Sequence, residues 1–369
     1  MIINSEKLKI VSQKILTAVD SNELSVLTET LELKTVNNIL YMNVTNKEYY
    51  ARIKLELTNA EDFHATVNAN LFLKLVAQIT TQDIELEVNE TYLLVKGNGE
   101  YKLPLIFDNS SLLELPEIEI NNAVKSFNIS KDILDSIMTY NSKELLRGTI
   151  SKPVQKLYYI DNQGAITFTS GACVNSFTLS EPLKILLNNR IVKLFKLFDT
   201  PDIKFTLGYD NISDDIIQTK VRFETSDIIL TAAISCDDTL LNSVPVNAIR
   251  NRANTDYKFS VNVDKNYLLQ TINRLMLFTT MKNTVKPYSL FKFENNSMTI
   301  FDVDKENKEV VPYVNSISES YEATLDIADL KAVLDTCSEQ YVTLNFGDHQ
   351  AFILARGNIK NVIPEIRVL

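Results

Sequence analysis

The sequence has no tryptophan, only three cysteines and only two histidines in 369 residues. Cys173, Cys236 and Cys337 stand far apart and are odd in number, which excludes a disulfide framework or a thiolate metal site as the organising feature. Neither His64 nor His349 has a partner at metal-ligand spacing, and neither joins a serine or cysteine in a nucleophilic arrangement. Eight glycines and nine prolines leave no composition for a long flexible linker. No apolar run approaches the roughly 20 residues of a membrane span. The opening MIINSEKLKI sets lysines where an export signal needs its apolar core. Together these absences lead us to expect a cytoplasmic, rigid chain with no metal, cofactor or catalytic residues. Lys96-Gly97-Asn98-Gly99 resembles a phosphate loop only superficially, because no second Gly-Lys-Ser/Thr follows and strands flank it; it reads as a hairpin turn. The acidic pairs Asp214-Asp215 and Asp237-Asp238 fall in polar loops, and the Asp210–Asp215 loop has no assigned role.

What is present is ordinary for a globular protein, with 45% hydrophobic and 23% charged residues. The length suits two or three cores. The net charge of −10 argues against a protein that coats DNA. A sum does not locate the lysines, however, so an acidic chain can still carry a basic inner face.

One unit recurs three times, the first thing to look for in any chain. NANLFLKLVAQI has the spacing of a one-faced helix, followed by DIELEVN, YLLVKG and EYKLPLI, which alternate as half-buried strands do. PLKILLNNRIVKLFKLF repeats the helix, and DIKFTLG, TKVRFET and IILTAAI repeat the strands. DIADLKAVLDTC, QYVTLNFG, AFILARG and NVIPEIRVL make the third copy. Each is preceded by another helix, SEKLKIVSQKILTAV, SKDILDSIMTYNS or DKNYLLQTINRLMLF, beginning after Asn4, Ser130 and Asp264, residues suited to capping. Boundaries near Asn122 and Arg252 give expected domains 1–122, 123–252 and 253–369. The fold class expected is α+β. The free helix faces carry Lys7, Lys14, Lys74, Lys131, Arg190, Lys193, Lys196, Arg274 and Lys331. On one helix such residues are an ordinary solvated face; if all helices face one way, they meet on one concave surface.

This order of elements resembles the bacterial sliding clamp, the beta subunit of DNA polymerase III. The resemblance covers the whole chain and rests on DIELEVNETYLLVKGNGEYKLPLI, AITFTSGACVNSFTLSEPL and NVIPEIRVL. It implies three clamp domains per chain and a head-to-tail homodimer forming a six-domain ring, with helices inside around double-stranded DNA and antiparallel sheets outside. It also implies a processivity factor, not an enzyme, which tethers the polymerase and depends on a clamp loader. Both partners bind through short hydrophobic peptides. Their pocket corresponds to Gly171, Cys173, Val174, Val362, Ile363, Pro364, Ile366 and Leu369. Ring closure corresponds to Tyr101 and Leu103 of one chain against Leu277 and Phe278 of the other.

The sequence departs from the family where the usual Thr-Asp-Gly-His-Arg-Leu reads Thr169-Ser170-Gly171-Ala172-Cys173-Val174, giving a smaller, less polar pocket. A DNA-contacting arginine is replaced near Asn22 or Glu23, and a basic pair becomes Asn188-Asn189 beside Arg190. Such changes suit a divergent member, phage- or plasmid-encoded, with its own matched partners. Two rival readings stand beside this one: an enzyme with an unrecognised site, and a repeated α+β interaction protein that does not touch DNA.

Overall fold

The computed structural model describes residues 1–20, 25–58, 60–144, 150–213, 216–280, 288–347 and 351–366. Asn22, Glu23, Asp214, Asp215, His349 and Leu369, all singled out above, lie outside the described residues.

In the first part of the chain β1 (Ile2–Asn4) leads into α1 (Ser5–Leu16). Strands β2 (Thr30–Val36), β3 (Ile39–Thr45), β4 (Tyr49–Glu56) and β5 (Phe63–Asn68) lead to α2 (Ala69–Gln78). Then come β6 (Asp83–Val88), β7 (Tyr92–Lys96) and β8 (Glu100–Pro104), and the short β9 (Phe107–Asp108) and β10 (Ser111–Leu112). The pattern returns with β11 (Ala123–Ser130) and α3 (Lys131–Ser136), which widens into a π-turn over Ile137–Asn141 before α4 (Ser142–Glu144). β12 (Leu157–Asp161), β13 (Gly164–Phe168), β14 (Ala172–Ser176) and β15 (Lys184–Asn188) precede α5 (Asn189–Lys193) and a 3-10 turn, Leu194–Leu197. β16 (Asp202–Ser213), β17 (Ile216–Glu224) and β18 (Ile228–Ile234) follow, with α6 (Asp238–Ser243) and α7 (Val246–Asn254) after them. The last part runs β19 (Phe259–Asp264), α8 (Lys265–Thr280), β20 (Tyr288–Glu294), β21 (Ser297–Phe301), β22 (Lys308–Val314), β23 (Tyr321–Asp326), α9 (Ile327–Leu334), β24 (Tyr341–Phe346), β25 (Ala351–Arg356) and β26 (Ile359–Pro364).

The helices begin where a short polar side chain can accept an otherwise orphaned N–H. Asn4, Ser130 and Asp264 accept from Lys7, Ile133 and Tyr267, and Asn68 and Asp326 do the same for α2 and α9. One expectation fails. The helix read over PLKILLNNRIVKLFKLF is a strand in its first half, because Ile185, Leu186 and Leu187 form a buried run that pairs along β12. A short apolar run can be read either way by periodicity, and the helix starts only after Asn188.

The same strand order appears three times. Sheets β5-β2-β3-β4, β15-β12-β13-β14 and β23-β20-β21-β22 share one antiparallel connectivity. Sheets β1-β6-β7-β8, β11-β16-β17-β18 and β19-β24-β25-β26 share another. The chain divides into two compact units, 1–134 with 190–235, and 135–189 with 236–369.

In the first unit β18 pairs with β4, so two four-stranded sheets become one of eight. The segment after β10 is fastened across this sheet. Arg52 bonds Glu117 (2.8 Å) and the Tyr50 hydroxyl, and Lys220 bonds Asp210 (2.6 Å) and the Glu119 carbonyl. Asp210 also accepts from the Asn121 backbone, so it anchors the connecting segment. Lys220 holds its carboxyl below the ordinary range.

In the second unit β26 pairs with β14, and β19 joins β22 over two residue pairs to complete a twelve-stranded sheet. Its largest core contains Phe291, Phe293, Phe346 and Phe352, with the Phe293 and Phe346 ring centroids 4.1 Å apart.

Candidate functional site

In the first unit α1 packs against α2 and against the 3-10 turn after α5. Their basic residues therefore lie on neighbouring elements. Lys7, Lys74, Lys193 and Lys196 are exposed. Lys14 is bound to Asp199 (2.5 Å), and Arg190 reaches Asp20 (3.3 Å) and Glu48 (3.7 Å). Lys131, the first residue of α3, is half-buried. In the second unit Arg274 is paired with Glu309 and holds that carboxyl below the ordinary range, while Lys331 is paired with Asp335 one turn along α9. The nine basic residues of the helices thus divide. Four lysines are exposed, and at least four of the others are engaged in ion pairs of the fold.

The second unit carries an apolar cluster bordered by a groove. Ala172 stands opposite Val362 across the β14–β26 ladder, and Val174 opposite Lys360. Successive residues face opposite sides of a sheet. Val174 and Val362 therefore lie on one side, in a cluster with Val154, Tyr159, Ile166 and Leu186. Val244, in the turn joining α6 and α7, is buried in this cluster, and Leu240, Leu241, Val246 and Ile249 from the two helices pack on it and stay partly open to solvent. A cleft of about 500 Å³ continues from it, lined by Tyr159, Asp161, Lys184, Leu241, Pro245 and Arg250 among others. Arg250 grips Asp161 with two hydrogen bonds, 2.7 and 2.8 Å, and so ties α7 to the β12–β13 turn. Burial, together with the neighbouring Asp161 carboxylate, raises the Tyr159 phenol to about 12.

The expected pocket residues are only partly brought together. Gly171 forms the tight turn before β14, its carbonyl accepting from the Thr169 N–H. Cys173 and Ile363 face the opposite side of the sheet and are fully buried, Ile363 in the large aromatic core. Pro364 ends β26 and Ile366 is held by Thr324, both half-buried. Residues that sequence reasoning missed are Val154, Asp161 and Arg250, and the α6–α7 segment with Leu240, Leu241 and Val244. Asn141 was missed as well. It is wholly buried in the π-turn, donates to the Ala165 and Cys173 carbonyls and accepts from Asn175, holding β13 and β14 from beneath. The one available signal was Val244-Pro245 after an apolar pair, which marks a segment docked in extended form.

Of the strands equivalent to those joined at β18–β4 and β26–β14, β8 and β22 are left without such a junction among the described residues. β8 pairs only with β7. β22 pairs along β21, and its other edge meets β19 only at Tyr313 and Val314. Tyr101 on β8 is 38% exposed while Leu103 is buried. Leu277 and Phe278, 63% and 42% exposed, follow Arg274 by one turn on α8, the helix that packs on β22.

No protein-family model and no curated protein sequence matches the chain. Solved structures do match over the full length. The beta subunit of DNA polymerase III from Pseudomonas aeruginosa superposes with a TM-score of 0.79 at 15% identity, covering 100% of both chains. The sliding clamp from Bacillus subtilis gives 0.79 at 13%, and the beta subunit from Thermotoga maritima 0.78 at 13%, each covering 100% of this chain and 99% of the other. The chain has the sliding-clamp fold. In clamp-fold terms, the three equivalent sheet pairs are the clamp repeats, and the open edges β8 and β22 are the first and last strands left over once β18–β4 and β26–β14 have joined. No helix among the described residues is long and apolar enough to cross a membrane.

Proposed function

We propose that this protein is a DNA sliding clamp, a processivity factor that closes with a second copy into a ring around duplex DNA. The observation that carries the reading is the pair of leftover edges. Two of three equivalent edge junctions are made inside the chain, and a second copy supplies the third twice over. A head-to-tail contact that closes by rotation makes a ring, and an exposed strand edge invites such pairing. The repeats are domains 1–122, 123–252 and 253–369, and Tyr101 and Leu103 meet Leu277 and Phe278 of the second copy at each junction.

Lys7, Lys74, Lys193 and Lys196 contact phosphate without reading sequence. Contacts this few and this exposed let the ring slide. The groove beside the Val174–Val362 cluster takes an apolar anchor from a polymerase or loader peptide against Leu241, Val244 and Val246, with specificity set by Asp161, Lys184 and Arg250 along its wall. The chain performs no chemistry of its own and acts in the cytoplasm.

The test combines solution mass with retention on nicked circular DNA after loading by a matched loader. A mass near twice 41.9 kDa, with protein held on circles and lost on linearisation, is the expected result. A monomer indifferent to DNA ends would overturn the reading.

A further inference from the structure

The repeat fixes the register of the missing junction. Counting starts from the residue before each second helix, Asn68, Asn188 or Asp326. From Asn68 opposite Thr30, the ladders place Leu33, Met42 and Ile53 in one row. From Asn188 opposite Leu157, they place Ile160, Ala165 and Asn175 in the same row of the second sheet. From Asp326 opposite Tyr288, they place Phe291, Ile300 and Glu309 there in the third. Ile53, Asn175 and Glu309 are therefore equivalent.

The other sheets count from Asn4, Ser130 and Asp264, which stand opposite Asp83, Asp202 and Tyr341. The rows reach Leu86–Val95, Phe205–Phe223 and Leu344–Leu354. Two residues further along each hairpin stand Gly99, just before β8 and bonded by the Gly97 N–H, and Ile228 and Ile359, which open β18 and β26. Both internal junctions join these equivalents: Ile53 faces Ile228, and Asn175 faces Ile359. The two counts are independent, yet they agree at both junctions.

Resting on the ring reading above, we infer that the closing junction sets Glu309 of one copy opposite Gly99 of the other, so that Lys308 faces Glu100. Both charged side chains are exposed, and they fall on the same side of the two edges, with Lys102 next on that side of β8. Lys102 leans its ammonium over the Tyr92 ring at 4.8 Å and remains at the surface. On the other side the register sets Tyr101 opposite Asn307, on the face where α8 packs. There Arg274 already neutralises Glu309, so no unpaired charge enters the junction. Pro312 and Pro104 bracket the contact, because proline cannot donate to a ladder. The junction is thus short and complementary in charge. The partner it fits is a second copy of this chain, and the charge pair selects the register over a two-residue slip, which would put Lys308 opposite Lys102.

The test is a charge swap in the full chain, read as dimer dissociation by sedimentation equilibrium in low salt, with a thermal melt of each variant as the folding check. Each of Glu100→Lys and Lys308→Glu places like charges in contact at both junctions of the ring. Cross-strand charge pairs imply on the order of tenfold or more weaker association for each single variant, with Glu100→Lys/Lys308→Glu returning toward wild type. Added salt weakens the wild-type dimer and tightens the single variants. Equal, additive losses with no rescue in the double variant would overturn the register while leaving a wild-type dimer intact. A wild-type monomer at every concentration would instead sink the ring reading itself.

Discussion

Removing the Arg250 side chain as Arg250→Met isolates what holds α7 over the groove. The guanidinium makes both of its bonds to Asp161 and a third to Gln163, and Asp161 is 5% exposed. The methionine keeps the apolar stem, so the packing of α7 on the cluster is retained. What remains is a buried carboxylate without its counter-charge. Breaking a fully buried pair costs about 3–5 kcal/mol. Because the Arg250 side chain is itself 18% exposed and water reaches it, we expect about 2–3 kcal/mol. Asp161→Asn removes the stranded charge, so Asp161→Asn/Arg250→Met is expected to recover at least half of that loss. The assay is hydrogen exchange at the α7 amides beside urea unfolding of the second unit. The loss should concentrate in Val246–Asn254, the helix that Arg250 ties to Asp161 and Gln163. An Arg250→Met protein within about 0.5 kcal/mol of wild type, with α7 protection unchanged, would refute the assignment of this pair as the clasp of the groove.

Further outcomes follow from other sites. Glu32 is buried against Asn43 and His64; burial pushes its carboxyl up, but the hydrogen bonds and charges of His64, Asn43 and Lys34 more than offset this and hold it below its ordinary value of 4.5. Its stabilising contribution is present above that value and lost as pH falls through the lower folded one. Glu32→Gln should therefore flatten the acid limb of a stability profile below about pH 4.5, and an unchanged limb would contradict this. Phe293→Ala removes the ring that stacks on Phe346 and Phe352, and should cost about 3–5 kcal/mol in urea titrations.

The fold was readable because each repeat announces itself locally. Asn4, Asn68, Asp264 and Asp326 are short polar residues directly before apolar-periodic stretches, and each one caps. Lys184–Asn188 misled because Ile-Leu-Leu fits a helix face and a buried strand equally, and only pairing with β12 decides between them. The groove was half legible. Val174 and Val362 could be placed by likeness, but the pleat turns their neighbours Cys173 and Ile363 the other way. The covering segment escaped notice because Leu240, Leu241 and Val244 have no periodicity of their own, and acquire a role only by docking on a sheet built from distant sequence. The ion pairs of Lys14, Arg190 and Arg274 were invisible for the same reason: their partners lie 185, 170 and 35 residues away.

The interleaving of the two units also sets an order of events during synthesis. The eight-stranded sheet takes β4 from near the start of the chain and β18 from residues 228–234, so its middle ladder has no second half until about two-thirds of the protein has been made. At the usual pace of about 5–20 residues per second, β4 waits on the order of ten to thirty seconds with an open edge. During that interval the nascent chain is most exposed to mispairing with a neighbour on the same message, and a holding chaperone would act on it there.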